Sequence, residues 1–133
     1  MTRSRASAKA AGAVFTLTVP MALVNNSNHR THWALKARRR AHMRELALYT
    51  CVDCPAIPGP VHLTVTFAFP DRRNRDLDNY EIKGAIDGAV DAGVITDDRS
   101  TVLRAVTRRP ADVLSPRGFA VLTFAFRPVG DDA

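Results

Sequence analysis

Apolar and polar positions follow two different periods along this chain. Val14 to Val19 alternates, with β-branched and aromatic residues prominent, and predicts a strand that ends at Pro20. Val61, Leu63, Val65, Phe67 and Phe69 fall on one face of a second alternating run, closed by Pro70. Thr101 to Arg109 and Phe119 to Arg127 predict two further strands, read as a hairpin with its turn near Ser115-Pro116-Arg117-Gly118. Between them the period changes. Ile82, Ala85, Ile86, Ala89 and Val90 lie at i, i+3, i+4, i+7 and i+8, which predicts a helix over Asn79 to Asp91 with one apolar stripe toward the core. Thr31 to Tyr49 predicts another helix, with Trp33, Leu35, Met43, Leu46 and Leu48 as its apolar contacts.

The order is therefore β-α-β-α-β-β. This is an α+β (mixed α/β) arrangement: a mixed sheet flanked by two main helices in a single domain spanning 13–128. Residues 1–12 are small and basic and read as a flexible arm. Residues 129–133 read as a short acidic tail. Gly84 and Gly88 each lower helix propensity by roughly 1 kcal/mol. That cost suggests close packing on the sheet or close approach of DNA. Gly93 fits a helix stop.

Length and composition narrow the class. The chain has 133 residues, enough for one domain with its own core, and 46% of them are hydrophobic, which excludes a wholly disordered chain. No apolar run reaches the roughly 18 residues that cross a bilayer. The apolar stretch from Ala10 is broken by Thr16, Thr18 and Pro20, a poor signal peptide, so a cytoplasmic location is expected. Cys51 and Cys54 form one CxxC, half of a zinc site, with no matching histidine pair. They read as reduced thiols.

Charge changes the picture more. The formal net charge is +6, but residues 1–50 hold nine Lys/Arg against the single acid Glu45, and the remainder holds ten against twelve. A basic half attracts a polyanion such as nucleic acid. The acids stand out against it. Asp76 and Asp78 precede the helix 79–91, and Asp97 and Asp98 follow it, with Arg72, Arg73 and Arg75 alongside. In extended chain Asp76 and Asp78 point the same way. If the flanking strands are neighbours, Asp97 or Asp98 returns beside them. Such carboxylates select a hard cation such as Mg²⁺, and a metal at a phosphodiester activates water and neutralises charge. Lys83, one turn into the helix, reaches the same space. Each residue also has a plain structural role open to it. Asp78 is placed to cap the helix, Asp97-Asp98 to make a turn, and Lys83 to pair with Asp87. Without a metal, packing Asp76 against Asp78 is repulsive.

The string Pro70-Asp71-Arg72-Arg73-Asn74-Arg75-Asp76-Leu77-Asp78-Asn79, the helix with Lys83 and Asp87, then Ala92-Gly93 and Asp97-Asp98, resembles the RusA family of Holliday junction resolvases. Arg75 to Asp98 is the specific part. Pro20 with Asn25-Asn26 is similar to a proline-then-asparagine segment of that family. The resemblance implies a homodimeric, Mg²⁺-dependent endonuclease (Mn²⁺ as a substitute) that nicks four-way junction DNA in pairs during recombination and repair. Members of the family are common in phages and prophages. The resemblance assigns the essential carboxylates to Asp76, Asp78 and Asp98 and the catalytic lysine to Lys83; Asp97 is expected beside them, either supporting the ligands from behind or as a supplementary ligand. The spacing from Asp78 to Lys83 is one residue longer than in the best-known member. Within a continuous helix, one residue rotates a side chain by about 100°.

On this reading Arg72, Arg73, Arg75, Lys36, Arg38, Arg39 and Arg40 grip flanking phosphates without reading sequence. Two readings of other kinds stay open: a non-catalytic DNA-binding recombination accessory protein, and a metal-dependent nuclease acting on forks, flaps or RNA.

Overall fold

Alternation decides which face of each strand is buried, and one continuous apolar face results. In the computed structural model, which describes residues 12–130, β1 (Ala13–Pro20) buries Ala13, Phe15, Leu17 and Val19 and exposes the residues between them. β2 (Val61–Ala68) buries Val61, Leu63, Val65 and Phe67. β4 (Phe119–Pro128) buries Ala120, Leu122, Phe124 and Phe126. The expected arm, apart from Gly12, and residues 131–133 of the expected tail lie outside the described residues. Two helices, α1 (Trp33–Thr50) and α2 (Lys83–Asp91), complete this mixed α+β fold.

The strand order is β1-β4-β2-β3, where β3 is Leu103–Pro110. β4 runs antiparallel to both β1 and β2, while β2 and β3 are parallel, joined by the α2 crossover. This corrects the expected β3–β4 hairpin, because β2 lies between the two strands. The residues explain the placement. β4 carries four buried apolar side chains and needs neighbours on both sides. β3 carries Arg104, Arg108 and Arg109 and is mostly exposed, as suits an edge strand. The connection 111–118 does not turn tightly. It crosses the end of β2, where Ala111 N–H donates to Phe67 O at 2.8 Å and Ser115 N–H to Phe69 O at 3.0 Å.

The helices pack on each other through small residues. A Cβ added at Gly84 would strike the Arg40 carbonyl and approach the Met43 side chain. One at Gly88 would strike the Arg44 carbonyl and Ala47. The two glycines therefore serve a close approach of α2 to α1, not to the sheet or to DNA as expected. In α1 only Met43 and Ala47 are fully buried, with Leu46 against the core. Trp33, expected among the packing residues, is 75% exposed. Cys51 and Cys54 are free thiols, and burial pushes Cys51 up to about 11. No described helix is long and apolar enough to cross a membrane.

Candidate functional site

The segment between β2 and α2 carries most of the chemistry, and aromatic packing pins it. Phe67, Phe69 and Tyr80 form a cluster with ring centroids 5.0–6.2 Å apart. The Arg75 guanidinium lies 4.4 Å over the Phe69 ring and pairs with Asp71 at 2.8 Å. Asp71 also accepts from Arg73 N–H, and the Arg75 guanidinium, first among the causes, holds the Asp71 carboxyl below its ordinary range. Farther along, Tyr80 bridges to Asn26.

This pinning changes where the helix begins. Asp76 accepts from the Asp78 N–H at 3.1 Å and closes a single 3-10 turn, Leu77–Asn79. The chain then runs extended, and α2 starts at Lys83 rather than Asn79. The residue before it, Ile82, supplies no side-chain cap. Asp76, not Asp78, does the local capping. The extra residue between Asp78 and Lys83 falls in non-helical chain, so the 100° rotation that applies inside a helix does not arise.

Three of the expected catalytic residues line one open cleft of about 610 Å³: Asp78, Lys83 and Asp98. Lys83 Nζ stands 3.6 Å from Asp98 Oδ2 and 3.5 Å from Asp87 Oδ1. The Asp78 side chain is 86% exposed, and its one ion pair among the described residues is Arg108 at 3.9 Å. Lys36 lines the same cleft.

Asp76 and Asp97 do not line it. Asp97 Oδ1 accepts from the N–H groups of Asp98 (2.7 Å) and Arg99 (3.2 Å), and its Oδ2 pairs with the Arg99 side chain. Partial desolvation pushes the Asp97 carboxyl up. The Arg99 and Asp98 N–H groups and the Arg99 charge outweigh this and leave it below its ordinary value. The expectation that three carboxylates gather as a ready cage is not met: among the described residues no group of three or more His, Cys, Asp or Glu stands at metal-holding distances.

The basic candidates divide as well. Arg72 and Arg73 are exposed and form no ion pair among the described residues, and Arg38 is also exposed. Arg75, however, is 10% exposed and spent on Phe69 and Asp71. Arg40 is locked on Glu81 by two bonds, Nε to Oε1 at 2.9 Å and Nη2 to Oε2 at 2.7 Å. Arg39 is half-buried beside Leu23 and Gly84, away from the cleft.

Two contributors were not anticipated. Arg108 donates to the carbonyls of Leu77 (2.9 Å) and Tyr80 (2.5 Å) and so holds the turn that presents Asp78. In register it pairs with Val65, which makes it an arginine at a core-facing position of β3, a placement hidden from the sequence because β3 was expected beside β4. Buried Asn25 donates to Lys36 O and Glu81 Oε1, tying the loop after β1 to both α1 and the approach to α2.

The chemistry open to this arrangement follows from its donors. The cleft offers carboxylate oxygens and no sulfur or imidazole, which suits a hard cation. Mg²⁺ is commonly held by one or two carboxylates plus substrate phosphates rather than by an all-protein cage. Asp78 and Asp98 fit that pattern, with ammonium and guanidinium groups beside them for a phosphate. No protein-family model matches the chain, and no curated protein matches it.

Proposed function

We propose that this chain is a Mg²⁺-dependent endonuclease of branched DNA, a resolvase acting on four-way junctions as a homodimer. One observation carries the catalytic part. Asp78, Lys83 and Asp98, from three separate segments, line a single cleft, and their ion pairs are all long: Lys83 with Asp98 and Asp87, and Asp78 with Arg108. The junction and the dimer rest on the resemblance of Arg75–Asp98 to the RusA family.

In this reading Asp78 and Asp98 hold Mg²⁺ (or Mn²⁺) jointly with a phosphate of the substrate. Asp76 and Asp97 shape the turns that present them. When bound, the ion supplies Lewis-acid polarisation of the phosphate and makes water easier to deprotonate. Lys83, at the first turn of α2, places its ammonium where charge accumulates on the phosphate oxygens during displacement. Arg108 keeps the Leu77–Asn79 turn fixed, so Asp78 is positioned before substrate arrives. Lys36, Arg72 and Arg73 neutralise flanking phosphates and give salt-sensitive, sequence-independent affinity. A junction presents two strands to cut, which suits two copies related by a two-fold axis.

The test is incubation of the purified chain with a synthetic four-way junction, a linear duplex, a fork and a structured RNA, each with Mg²⁺ or EDTA. Paired nicks confined to the junction, lost in EDTA, are expected. Cleavage of forks or RNA instead reassigns the substrate. Binding without cleavage in any metal leaves a non-catalytic DNA-binding protein.

A further inference from the structure

Beside the carboxylate cleft lies a second one, of about 420 Å³, lined by the expected phosphate-binding arginines Arg72 and Arg73 together with apolar residues to which no role has been given. Its volume falls within the roughly 300–1,000 Å³ typical of small-molecule sites. The segment 75–79 divides the two: Arg75 and Leu77 line the second cleft, while Asp78 and Asn79 line the first. Its lining combines apolar Leu77, Pro110, Val113 and Leu114 with Arg72 and Arg73.

Its aliphatic side chains are unusually exposed, Val113 at 71% and Leu114 at 47%. They are also held in place. The bonds from Ala111 to the Phe67 carbonyl in β2 and from Ser115 to the Phe69 carbonyl just beyond it fix the segment on either side of them, and Ser115 Oγ donates to Phe119 O at 2.6 Å. Arg75 contributes no free charge there, since Asp71 neutralises it and Phe69 covers its plane. The charge left over is that of Arg72 and Arg73.

An anchored apolar surface sharing a cleft with two arginines that form no ion pair among the described residues is complementary to one kind of occupant: a flat apolar body carrying an anion. We infer that this second cleft receives a single unstacked nucleotide of the bound DNA. Its base lies against Pro110, Val113 and Leu114, and its phosphate lies between Arg72 and Arg73. The inference rests on the nuclease reading and deepens it. Single-stranded nucleic acid is commonly held by a cationic groove together with aromatic side chains on which bases stack; here the apolar face offered to the base is aliphatic. Bases within a duplex are already stacked and paired, whereas bases at a branch point can be freed. The cleft therefore favours branched or single-stranded DNA over duplex, next to the residues proposed to cut it.

The experiment uses 2-aminopurine in a single-stranded oligonucleotide and at the branch of a four-way junction, titrated with the chain in EDTA so that cleavage plays no part. Wild-type protein is expected to change the emission on binding. The exposed pair Val113→Asp/Leu114→Asp should weaken oligonucleotide binding about tenfold, the scale of one lost stacked base, with duplex affinity within about twofold and an unchanged melting temperature. Arg72→Ala/Arg73→Ala should weaken both, with a shallower salt dependence. Unchanged oligonucleotide binding and emission in the aspartate pair, in a protein that still cuts junctions, overturns the inference and leaves the nuclease reading intact. Wild-type protein that binds no nucleic acid overturns both. If the aspartate pair instead converts a dimer to a monomer by sedimentation while its emission change persists, the cleft is a protein interface and the inference is wrong.

Discussion

Charged residues behave differently in two regions of this molecule. Where α1 meets α2 and the segment leading into it, the ion pairs are short and doubled: Arg40 meets Glu81, just before α2, at 2.7 and 2.9 Å, and Arg44 meets Asp91 at 2.6 and 2.8 Å. In the candidate site the contacts are long and single. Lys83 stands 3.5 and 3.6 Å from Asp87 and Asp98, and Arg108 stands 3.9 Å from Asp78. Part of the distinction is residue type, since the Lys83 ammonium cannot form a two-bond fork, and part is geometry, since the Arg108 guanidinium stays 3.9 Å from Asp78. Planar guanidinium matched to carboxylate uses up both charges, and such pairs fasten one helix to the other. Long contacts leave lone pairs and N–H groups open to a cation and a phosphate.

The strongest test of that division is to remove carboxylates from the open set. Asp78→Asn and Asp98→Asn should each lower junction cleavage at least about a hundredfold, as loss of a key electrostatic group commonly does, while junction binding persists. Neither should shift the urea midpoint, because both side chains are exposed and loosely paired. A large loss of stability in either variant would mean these acids act like Glu81 in its pair with Arg40, and the contrast would fail.

Packing at the fastened interface comes next in size. Gly88→Ala places a methyl against the Arg44 backbone and Ala47. Overpacking of this kind costs about 1–3 kcal/mol, set against a helix-propensity gain of roughly 1 kcal/mol. A net loss of stability by urea denaturation is expected. A gain would mean α1 and α2 are free to separate.

The division was only partly legible in the sequence. The strands of the core could be read because alternation leaves one answer for which face is buried, as at Val61 to Phe67. The α2 stripe could be read for the same reason. The β3–β4 pairing could not. Adjacency in sequence favours a hairpin, and only the contrast between arginine-rich β3 and apolar β4 argues for separating them. Gly84 and Gly88 advertised a close approach without naming the partner, because a missing Cβ carries no direction. Within the site, Asp78, Lys83 and Asp98 were named together and do share a cleft. Asp76 and Asp97 were grouped with them, yet each takes backbone N–H groups nearby, a competition that spacing alone does not resolve. Arg40 and Arg75 looked like Arg72 and Arg73 because residue type does not reveal whether a carboxylate or a ring will meet them.

A smaller effect separates the pairs within the fastened region. Glu81 is half-buried and accepts from Arg40 and Asn25, and the Arg40 bond, first among the causes, holds its carboxyl below the ordinary 4.5. Glu81→Gln should cost about 1–2 kcal/mol near neutral pH, the range for a partly screened charged hydrogen bond. The sign of its pH dependence follows from the depressed value. Between the unfolded and folded pKa the unfolded chain binds the extra proton, so the stability contributed by Glu81 is complete above about 4.5 and falls as pH drops through the lower, folded value. The gap between wild-type and Glu81→Gln urea midpoints should therefore narrow on acidification from pH 7 to 3. A gap independent of pH would assign the loss to shape rather than charge.

The smallest effect belongs to the pair with the shortest contact. Arg44 and Asp91 approach to 2.6 Å, closer than Arg40 and Glu81, and Asp91 likewise has its carboxyl held low, first by the Arg44 hydrogen bond. Yet both side chains lie at the surface, and no third group shares them. Water competes for an exposed pair in the unfolded and folded states alike, and ordering two long side chains offsets the attraction. Asp91→Asn should therefore leave the urea midpoint unchanged at moderate salt and lower it only slightly in dilute buffer, where screening is weak. If it proves as damaging as Glu81→Gln, short distance rather than burial and shared partners governs the fastening of α1 to α2. The long contacts around Lys83 would then be weak for the same reason, independent of any ligand they await.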